Sequence, residues 1–435
     1  MLKDSFCSSP WFHLRMTHNG DFEECRWLKN PARVNNIANT SIVEFYNSQE
    51  MKQLRSGLLS GEKVDSCGTC YYEDSFNKLS GRQRQLNKSG IQLDDFALTT
   101  RSSPHYESFL HSHLNQGESN HRPTDLQIDL GNTCNSACIM CSPESSSRLE
   151  QDYRKLHKIN PIHFKDPESY TNWTRDPLLM DRVVKELGEI QGLKYIHFLG
   201  GETLYDPAFY AMCDRLVETG LAKNIIVGTT TNGTVYDKRV EKLIKQFKEF
   251  HLGISIETIT SLNDYVRYPS KVDDVKNNIE RFLALRDNSN LYISLRITPN
   301  VFTISEIDKM FEYMIDHHVI AESCNILYQP EHFRIELMPA SIREETLTKL
   351  NALIDRVQAV KTDLVNIRKN DIIDDVIANV LIDYRNFVRD YKPLPNTETS
   401  RRNLVAVLKG FETLRGNTIL DYAPRYTEFL RRYGY

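Results

Sequence analysis

An α/β fold is predicted: six parallel strands alternating with helices in an open barrel, with a cysteine-bearing module before it and a helical segment after it. Three observations carry this. From Leu126 to about residue 330, short apolar runs alternate with stretches of helical periodicity. Glycine-rich and polar motifs follow those runs, at the C-terminal strand ends where parallel sheets gather ligands. Residues 341–435 show helical spacing and no strand pattern.

The strands fall at residues 126–130, 195–199, 225–230, 252–256, 292–297 and 325–328. Helical patterns lie between them at 178–187, 209–217, 238–247, 272–285 and 304–315. Four regions follow: a cysteine module at 1–75, a connector at 76–122, the βα core at 123–340 and a helical segment at 341–435. The module has little periodic pattern. The connector, rich in Ser, Asn, Gln and Arg, reads as polar chain with one helix. In the last region Leu347, Leu350, Ile354 and Val357 recur at helical spacing, and Ile372, Val376, Val380 and Ile382 do so more loosely.

A chain of 435 residues, 40% hydrophobic, can bury a substantial core. Basic and acidic residues number 54 and 58, a net charge of −4 with no long block of one sign. Neither a nucleic-acid footprint nor a polybasic membrane patch is expected. No apolar run reaches the roughly 18 residues of a membrane span, and residues 1–14 hold no continuous apolar stretch, so no signal peptide is expected. Of nine cysteines, seven lie before residue 142, in two groups. Clustered cysteines without an export signal point to metal in a reduced compartment, and hence to a cytoplasmic protein. Cys213 and Cys324 stand alone and read as buried structural thiols.

The first core strand runs into Asp129-Leu130-Gly131-Asn132-Thr133-Cys134-Asn135-Ser136-Ala137-Cys138-Ile139-Met140-Cys141, a C-x3-C-x2-C loop. Three thiolates can hold three irons of a cubane cluster and leave the fourth open to an outside ligand. A structural zinc site needs a fourth protein ligand, and no His or Cys follows closely to supply one. A three-thiolate zinc site is the alternative.

This motif, in a loop ahead of a βα array, resembles that of the radical S-adenosylmethionine (SAM) superfamily. The residue before the third cysteine is usually aromatic there; Met140 stands in its place and can still pack against adenine. The resemblance implies a partial (β/α)6 barrel and a [4Fe–4S] cluster on Cys134, Cys138 and Cys141. It implies that the open iron is chelated by SAM, which is cleaved reductively to methionine and a 5′-deoxyadenosyl radical. That radical abstracts hydrogen from substrate, and the protein orients the reactive carbon.

Further motifs fit. Gly200-Gly201-Glu202 ends the second strand and looks like the family's Gly-Gly-Glu, which implies that Glu202 accepts from the SAM ammonium while the glycines let backbone approach. Thr231-Asn232-Gly233 is similar to a common Thr-Asn-Gly stretch, with Asn232 as a simple turn cap the alternative. Ser255-Ile256-Glu257, followed by Arg267, resembles a Ser-Ile-Asp…Arg pattern of relatives with auxiliary clusters. It implies that Ser255 and Arg267 contact the ribose and carboxylate of SAM; a helix-face ion pair is the alternative for Arg267. By position alone, Asn300 is assigned to the cofactor and the segment from Tyr328 to His332 to substrate, with an ordinary loop equally open.

Cys7, Cys25, Cys67 and Cys70 form a C-x17-C-x41-C-x2-C set. It resembles the shortened SPASM module, called twitch, which holds one auxiliary [4Fe–4S] cluster. In the family the module follows the barrel; here it precedes it. Four thiolates saturate a cubane, which suits electron transfer better than ligand binding. A four-cysteine zinc site is the alternative.

The resemblance implies an oxidoreductase-type enzyme fed by an external one-electron reductant such as flavodoxin or ferredoxin. Its substrate is a small polyol, amino sugar or nucleoside-like metabolite, or a peptide side chain. A non-catalytic iron–sulfur carrier or sensor, or a zinc-stabilised binding module, would explain the cysteines but would not require Glu202, Ser255 and Arg267 at strand ends.

Overall fold

The computed structural model of the chain describes residues 5–28, 35–76, 78–91, 105–168, 170–287, 289–363 and 371–435, without the side chains of 359–376. Ile372 and Val376 are among those side chains and lie outside the described set.

Among the described residues one sheet of eight strands organises the molecule. The strands are β1 His13–Met16, β2 Phe22–Glu23, β3 Asp125–Asp129, β4 Tyr195–Leu199, β5 Ile226–Thr231, β6 Glu249–Ser255, β7 Leu291–Arg296 and β8 Ile320–Ala321. Their order is β2-β1-β3-β4-β5-β6-β7-β8. β1 and β2 are antiparallel, and every other neighbouring pair is parallel. Strands β3 to β8 are the predicted six-stranded α/β core.

The connecting helices start on strong sequence signals. Asp176, Asp206 and Asp237 each accept backbone N–H groups in the first turns of helices Pro177–Glu189, Pro207–Glu218 and Lys238–Ile244. Proline at the first helical position of two of these presets the backbone. Val183, Leu187, Phe209, Met212 and Leu216 then join Ile196, Phe198, Val227 and Leu252 in one buried cluster. Each such side chain contributes about 1.5–3 kcal/mol of burial, against the entropy of ordering it.

The sixth strand is displaced from its expected position. Residues 325–328 form no ladder; β8 lies earlier, at Ile320–Ala321. The reason is a competing partner: the Asn325 N–H donates to the Tyr384 hydroxyl (3.1 Å), and the Asn325 side chain donates to the Ile297 carbonyl (3.0 Å).

The cysteine module contributes β1 and β2, which were not anticipated. Leu14 and Met16 are buried while His13 and Arg15 turn to the other face, a pattern only four residues long. Its strand status comes from pairing with β3, where Arg15 meets Asp129, 114 residues later (Nε–Oδ2 3.1 Å). The connector also differs from expectation, with two helices, Gly81–Lys88 and Tyr106–Leu114. Both pack into the module. Phe6, Trp11, Leu58, Leu86 and Phe109 form a second buried cluster, and the Trp11 indole N–H donates to Ser112 (2.9 Å).

The C-terminal helices, Ala340–Asp363, Asp371–Asp390, Thr397–Arg415 and Thr427–Arg432, extend the main core through Leu350, Leu381, Leu404 and Phe411. Arg415 donates to the Ala137 carbonyl (2.6 Å), inside the C-x3-C-x2-C loop, and pairs with Asp152 (3.3 Å). This segment therefore braces both the β8 edge and the back of the cysteine loop. Among the described residues no helix is long and apolar enough to cross a membrane.

Candidate functional site

The loop after β3 carries its three cysteines in irregular backbone held from several sides. The Ala137 and Ile139 N–H groups donate to the Tyr268 and Val266 carbonyls (2.7 and 2.9 Å). The Glu202 N–H donates to the Thr133 carbonyl (2.8 Å), which lays the Gly-Gly-Glu turn directly against the cysteine loop. A side chain at Gly201 would collide with the Thr133 and Asn132 carbonyl oxygens, so only glycine allows that approach.

The loop lines an open pocket of about 270 Å³ at the C-terminal ends of β4 to β7. Cys134, Cys138, Cys141, Met140, Gly200, Gly201, Asn232, Ser255 and Arg267 all face it. Thr230, Thr231, Thr298, Leu327 and Glu257 line it too. Of these Glu257 and Thr231 drew notice in the sequence as parts of motifs, and Thr230, Thr298 and Leu327 were given no role there.

Arg267 and Glu257 form a buried ion pair across this pocket (2.6 Å), not the helix-face pair that sequence left open. The other Glu257 oxygen accepts from the Thr298 N–H (2.6 Å). Arg267 Nη1 lies 4.0 Å from Cys138 Sγ. Burial works against the guanidinium charge, but Glu257 and Cys138 outweigh it and hold the charge in place. Arg267 Nε is buried with no acceptor among the described residues. Asn232 reaches the cysteine loop, donating to Asn135 (2.8 Å) and Ser136 (3.0 Å), while its oxygen takes the Thr234 N–H (3.0 Å). It is both a turn cap and a pocket wall.

Two assignments need correction. Glu202 does not line the pocket. It is 1% exposed, and its carboxylate accepts from the Leu204 N–H (3.0 Å), the Thr231 hydroxyl (2.5 Å) and the Asn232 N–H. Burial pushes this carboxyl up to about 7, against those hydrogen bonds. Its geometry is that of a residue positioning Asn232 and Thr231. Asn300 is fully buried, and its oxygen accepts from the Phe302 and Thr303 N–H groups (2.9 and 3.2 Å), so it caps a turn. Tyr328 and His332 likewise stay outside this pocket; the Tyr328 phenol donates to Glu73 of the N-terminal module (3.0 Å).

Cys7, Cys25, Cys67 and Cys70 line one smaller pocket with Pro10, Trp27, Leu28, Leu54, Leu58 and Arg82. Cys7 precedes helix Ser9–Phe12, Cys25 follows β2, and Cys67 and Cys70 bracket the start of helix Gly68–Asp74. The Ser9 and Trp27 N–H groups point at Cys7 and Cys25 sulfurs (3.4 and 3.5 Å). Burial raises all four thiols: Cys25 to about 11, Cys67 and Cys70 to about 12, and Cys7 well above its ordinary value with help from Cys25. In the other set burial pushes Cys141 up to about 12 and raises Cys134 and Cys138 as well. Such thiols ionise only against a metal's charge. Soft thiolate sets, three beside an orphaned guanidinium N–H and four in an apolar wall, fit iron–sulfur clusters. Cys213 and Cys324 are buried away from both sets.

Residues 128–314 match the sequence model of the radical SAM superfamily, and residues 7–71 match that of the SPASM iron–sulfur cluster-binding domain. Residues 128–314 thus carry a radical SAM domain. The SPASM-type domain lies ahead of it. The cofactors of these two domains are SAM, the [4Fe–4S] cluster that binds it and an auxiliary [4Fe–4S] cluster. No curated protein is a significant match. Among solved structures, native anSMEcpe with bound AdoMet is 18% identical over 55% of this chain and 62% of its own, with a TM-score of 0.40. Streptococcus suis SuiB bound to S-adenosylmethionine is 14% identical over 73% of this chain and 64% of its own, at a TM-score of 0.37. The chain thus spans less than two thirds of the length of each of these solved proteins.

Proposed function

We propose that the chain is a radical SAM enzyme in which Cys134, Cys138 and Cys141 hold the SAM-binding cluster and Cys7, Cys25, Cys67 and Cys70 hold the auxiliary one. What supports this reading most is a single convergence: three thiols and a charged guanidinium with a free buried N–H meet in one pocket at strand C-terminal ends. When bound, the cluster and SAM together supply one-electron reductive cleavage to a 5′-deoxyadenosyl radical that abstracts hydrogen from substrate.

The chain's own residues then have separable tasks. Arg267, fixed by Glu257, presents a guanidinium to the carboxylate of SAM. Ser255 and the backbone at Gly200 and Gly201 line the same space. Met140 offers a polarisable face for adenine. Asn232 ties the pocket wall to the cysteine loop, and Glu202 fixes Asn232 from behind. Arg415, from the last long helix, braces the loop from the side away from the pocket.

The finer reading is an oxidoreductase: a two-electron oxidation of a metabolite or peptide, in which the four-thiol cluster takes an electron from the substrate. An external reductant such as flavodoxin or ferredoxin completes the scheme. Residues 1–75, 76–122, 123–340 and 341–435 remain the proposed division into cluster module, connector, radical SAM core and helical segment. Anaerobically reconstituted protein given SAM and dithionite is expected to form 5′-deoxyadenosine. Its absence in brown, iron-loaded protein would favour a non-catalytic electron carrier, and a colourless zinc protein would favour a binding module.

A further inference from the structure

The same face of the sheet that ends at the three-thiol pocket carries a second cavity, nearer the strand starts. Its volume is about 250 Å³. His13 of β1, Asp125 and Gln127 of β3, Tyr195 and His197 of β4 and Arg296 of β7 line it. A packed parallel barrel fills this face with branched apolar side chains; here alternate positions are polar. A side chain at Gly253 on β6 would collide with Arg296, so glycine leaves the guanidinium its place. His197 Nε2 lies 3.1 Å from the Thr230 hydroxyl, and Thr230 lines the three-thiol pocket, so one side-chain link joins the two spaces.

The cavity is strongly cationic. Arg26, Arg84, Lys88 and Arg296 face it, against Asp125 and Glu322. Lys88 pairs with Asp125 (3.0 Å) and Arg296 with Glu322 (2.8 Å). Arg26 and Arg84 are left with no carboxylate partner among the described residues; the Arg84 guanidinium gives one hydrogen bond, to the Leu79 carbonyl (2.7 Å). They flank the Trp27 ring, 5.2 and 5.7 Å from its centre. Trp27 also walls the four-thiol pocket, so the unpaired arginines sit beside the auxiliary site. His13 Nε2 is buried at this cavity with no partner among the described residues.

We propose that this cavity is the substrate site and takes a small molecule through an anionic group, a phosphate or a carboxylate, held between Arg26 and Arg84. The inference rests on the reading of the chain as a radical SAM enzyme and narrows its substrate. Two unpaired guanidinium forks match a phosphate or carboxylate bidentately and repel an ammonium, which removes unmodified amino sugars from the earlier classes. A cavity of about 250 Å³ leaves room only for a small metabolite. Tyr195, His197 and Gln127 line the cavity beside these cations; His197 is held by the Tyr195 and Thr230 hydroxyls (2.8 and 3.1 Å), and the Gln127 amide donates to Asp129 (2.9 Å), which fixes this wall in place. The anionic end of the metabolite would lie toward Trp27 and its reacting carbon toward Thr230.

The test is isothermal titration of the reconstituted full chain with inorganic phosphate and with succinate. At least one is expected to bind saturably, and which one binds separates phosphate from carboxylate. Arg84→Gln is expected to weaken that binding about tenfold or more, as loss of a charge-assisted hydrogen bond implies. Lys52→Gln, which removes a surface pair with Glu118, is expected to leave it unchanged. Thermal melting and iron content check the fold, and Arg26→Gln serves where Arg84→Gln does not fold. Failure of both anions to bind, or equal affinity in the arginine variant, overturns the site. Binding only of a short peptide with a free C-terminal carboxylate, and not its amide, overturns the small-molecule assignment. 5′-Deoxyadenosine formation by the wild-type protein is measured alongside. Its presence without anion binding sinks this inference alone, and its absence with anion binding sinks the enzymatic reading and leaves the anion site standing.

Discussion

The pocket around Cys134, Cys138 and Cys141 is walled by Asn232, Ser255, Glu257 and Arg267, whereas that around Cys7, Cys25, Cys67 and Cys70 is walled by Pro10, Trp27, Leu28, Leu54 and Leu58. The one cation of the second wall, Arg82, already pairs with Asp74 (2.7 Å). A zwitterionic ligand needs charged partners where it loses water, and only the first pocket supplies them. An apolar wall with every iron ligated keeps water and ligands away and leaves electron transfer as the open role. The number of cysteines and the polarity of the wall thus point the same way at each site.

The largest expected effect breaks the first site. Cys138→Ala should abolish 5′-deoxyadenosine formation and lower iron from about eight per chain toward four, as loss of one cubane requires. Near-normal 5′-deoxyadenosine from this variant would mean that the three-thiol loop is not where SAM is cleaved. Next, Cys67→Ala with Cys70→Ala should also remove about four irons, yet spare SAM cleavage and stop formation of oxidised product. Wild-type yield of a two-electron product would make the N-terminal module structural and a redox-neutral reaction the better account.

A smaller effect sharpens the contrast in polarity. Arg267→Lys keeps the charge but loses the planar fork and the Glu257 geometry. It should weaken SAM binding about tenfold, roughly one charge-assisted hydrogen bond, with iron content unchanged. Unaltered affinity by equilibrium dialysis would remove Arg267 from the SAM site. The smallest effect concerns the buried thiol outside both sites on the helix Pro207–Glu218. Cys213→Ala should leave iron and SAM cleavage as they are and cost about 1 kcal/mol of stability in denaturant melts. Lost iron in that variant would mean that the ligand sets are wrongly drawn.

Much of this was legible before any coordinates. The C-x3-C-x2-C loop and the Gly-Gly-Glu turn are local signals whose spacing is dictated by chemistry, and they follow strands of the parallel sheet as expected. Glu202 and Asn300 read wrongly because a polar residue at a strand end has two possible customers, ligand and backbone. Three protein donors occupy Glu202 and two occupy Asn300, and the choice depends on which loops fold against them. Thr298 and Leu327 were invisible since nothing marks a lone residue as pocket wall until the strands are aligned.

What the sequence by itself determined is the grouping of the cysteines and the βα alternation, because thiol spacing and hydrophobic period act over a few residues. Only the tertiary structure decided that the N-terminal module donates β1 and β2 to the same sheet as the radical SAM core. Four- and two-residue strands have no stability of their own and exist through pairing with β3. That pairing sets His13 and Arg15 on the polar face of the sheet, beside a cavity that Trp27 separates from the four thiols. The charge of that cavity arises from Arg26, Arg84, Lys88 and Arg296, which lie far apart in sequence. Their sum is a property of the folded surface, since each alone is an ordinary solvated cation and only shared enclosure makes them a binding site.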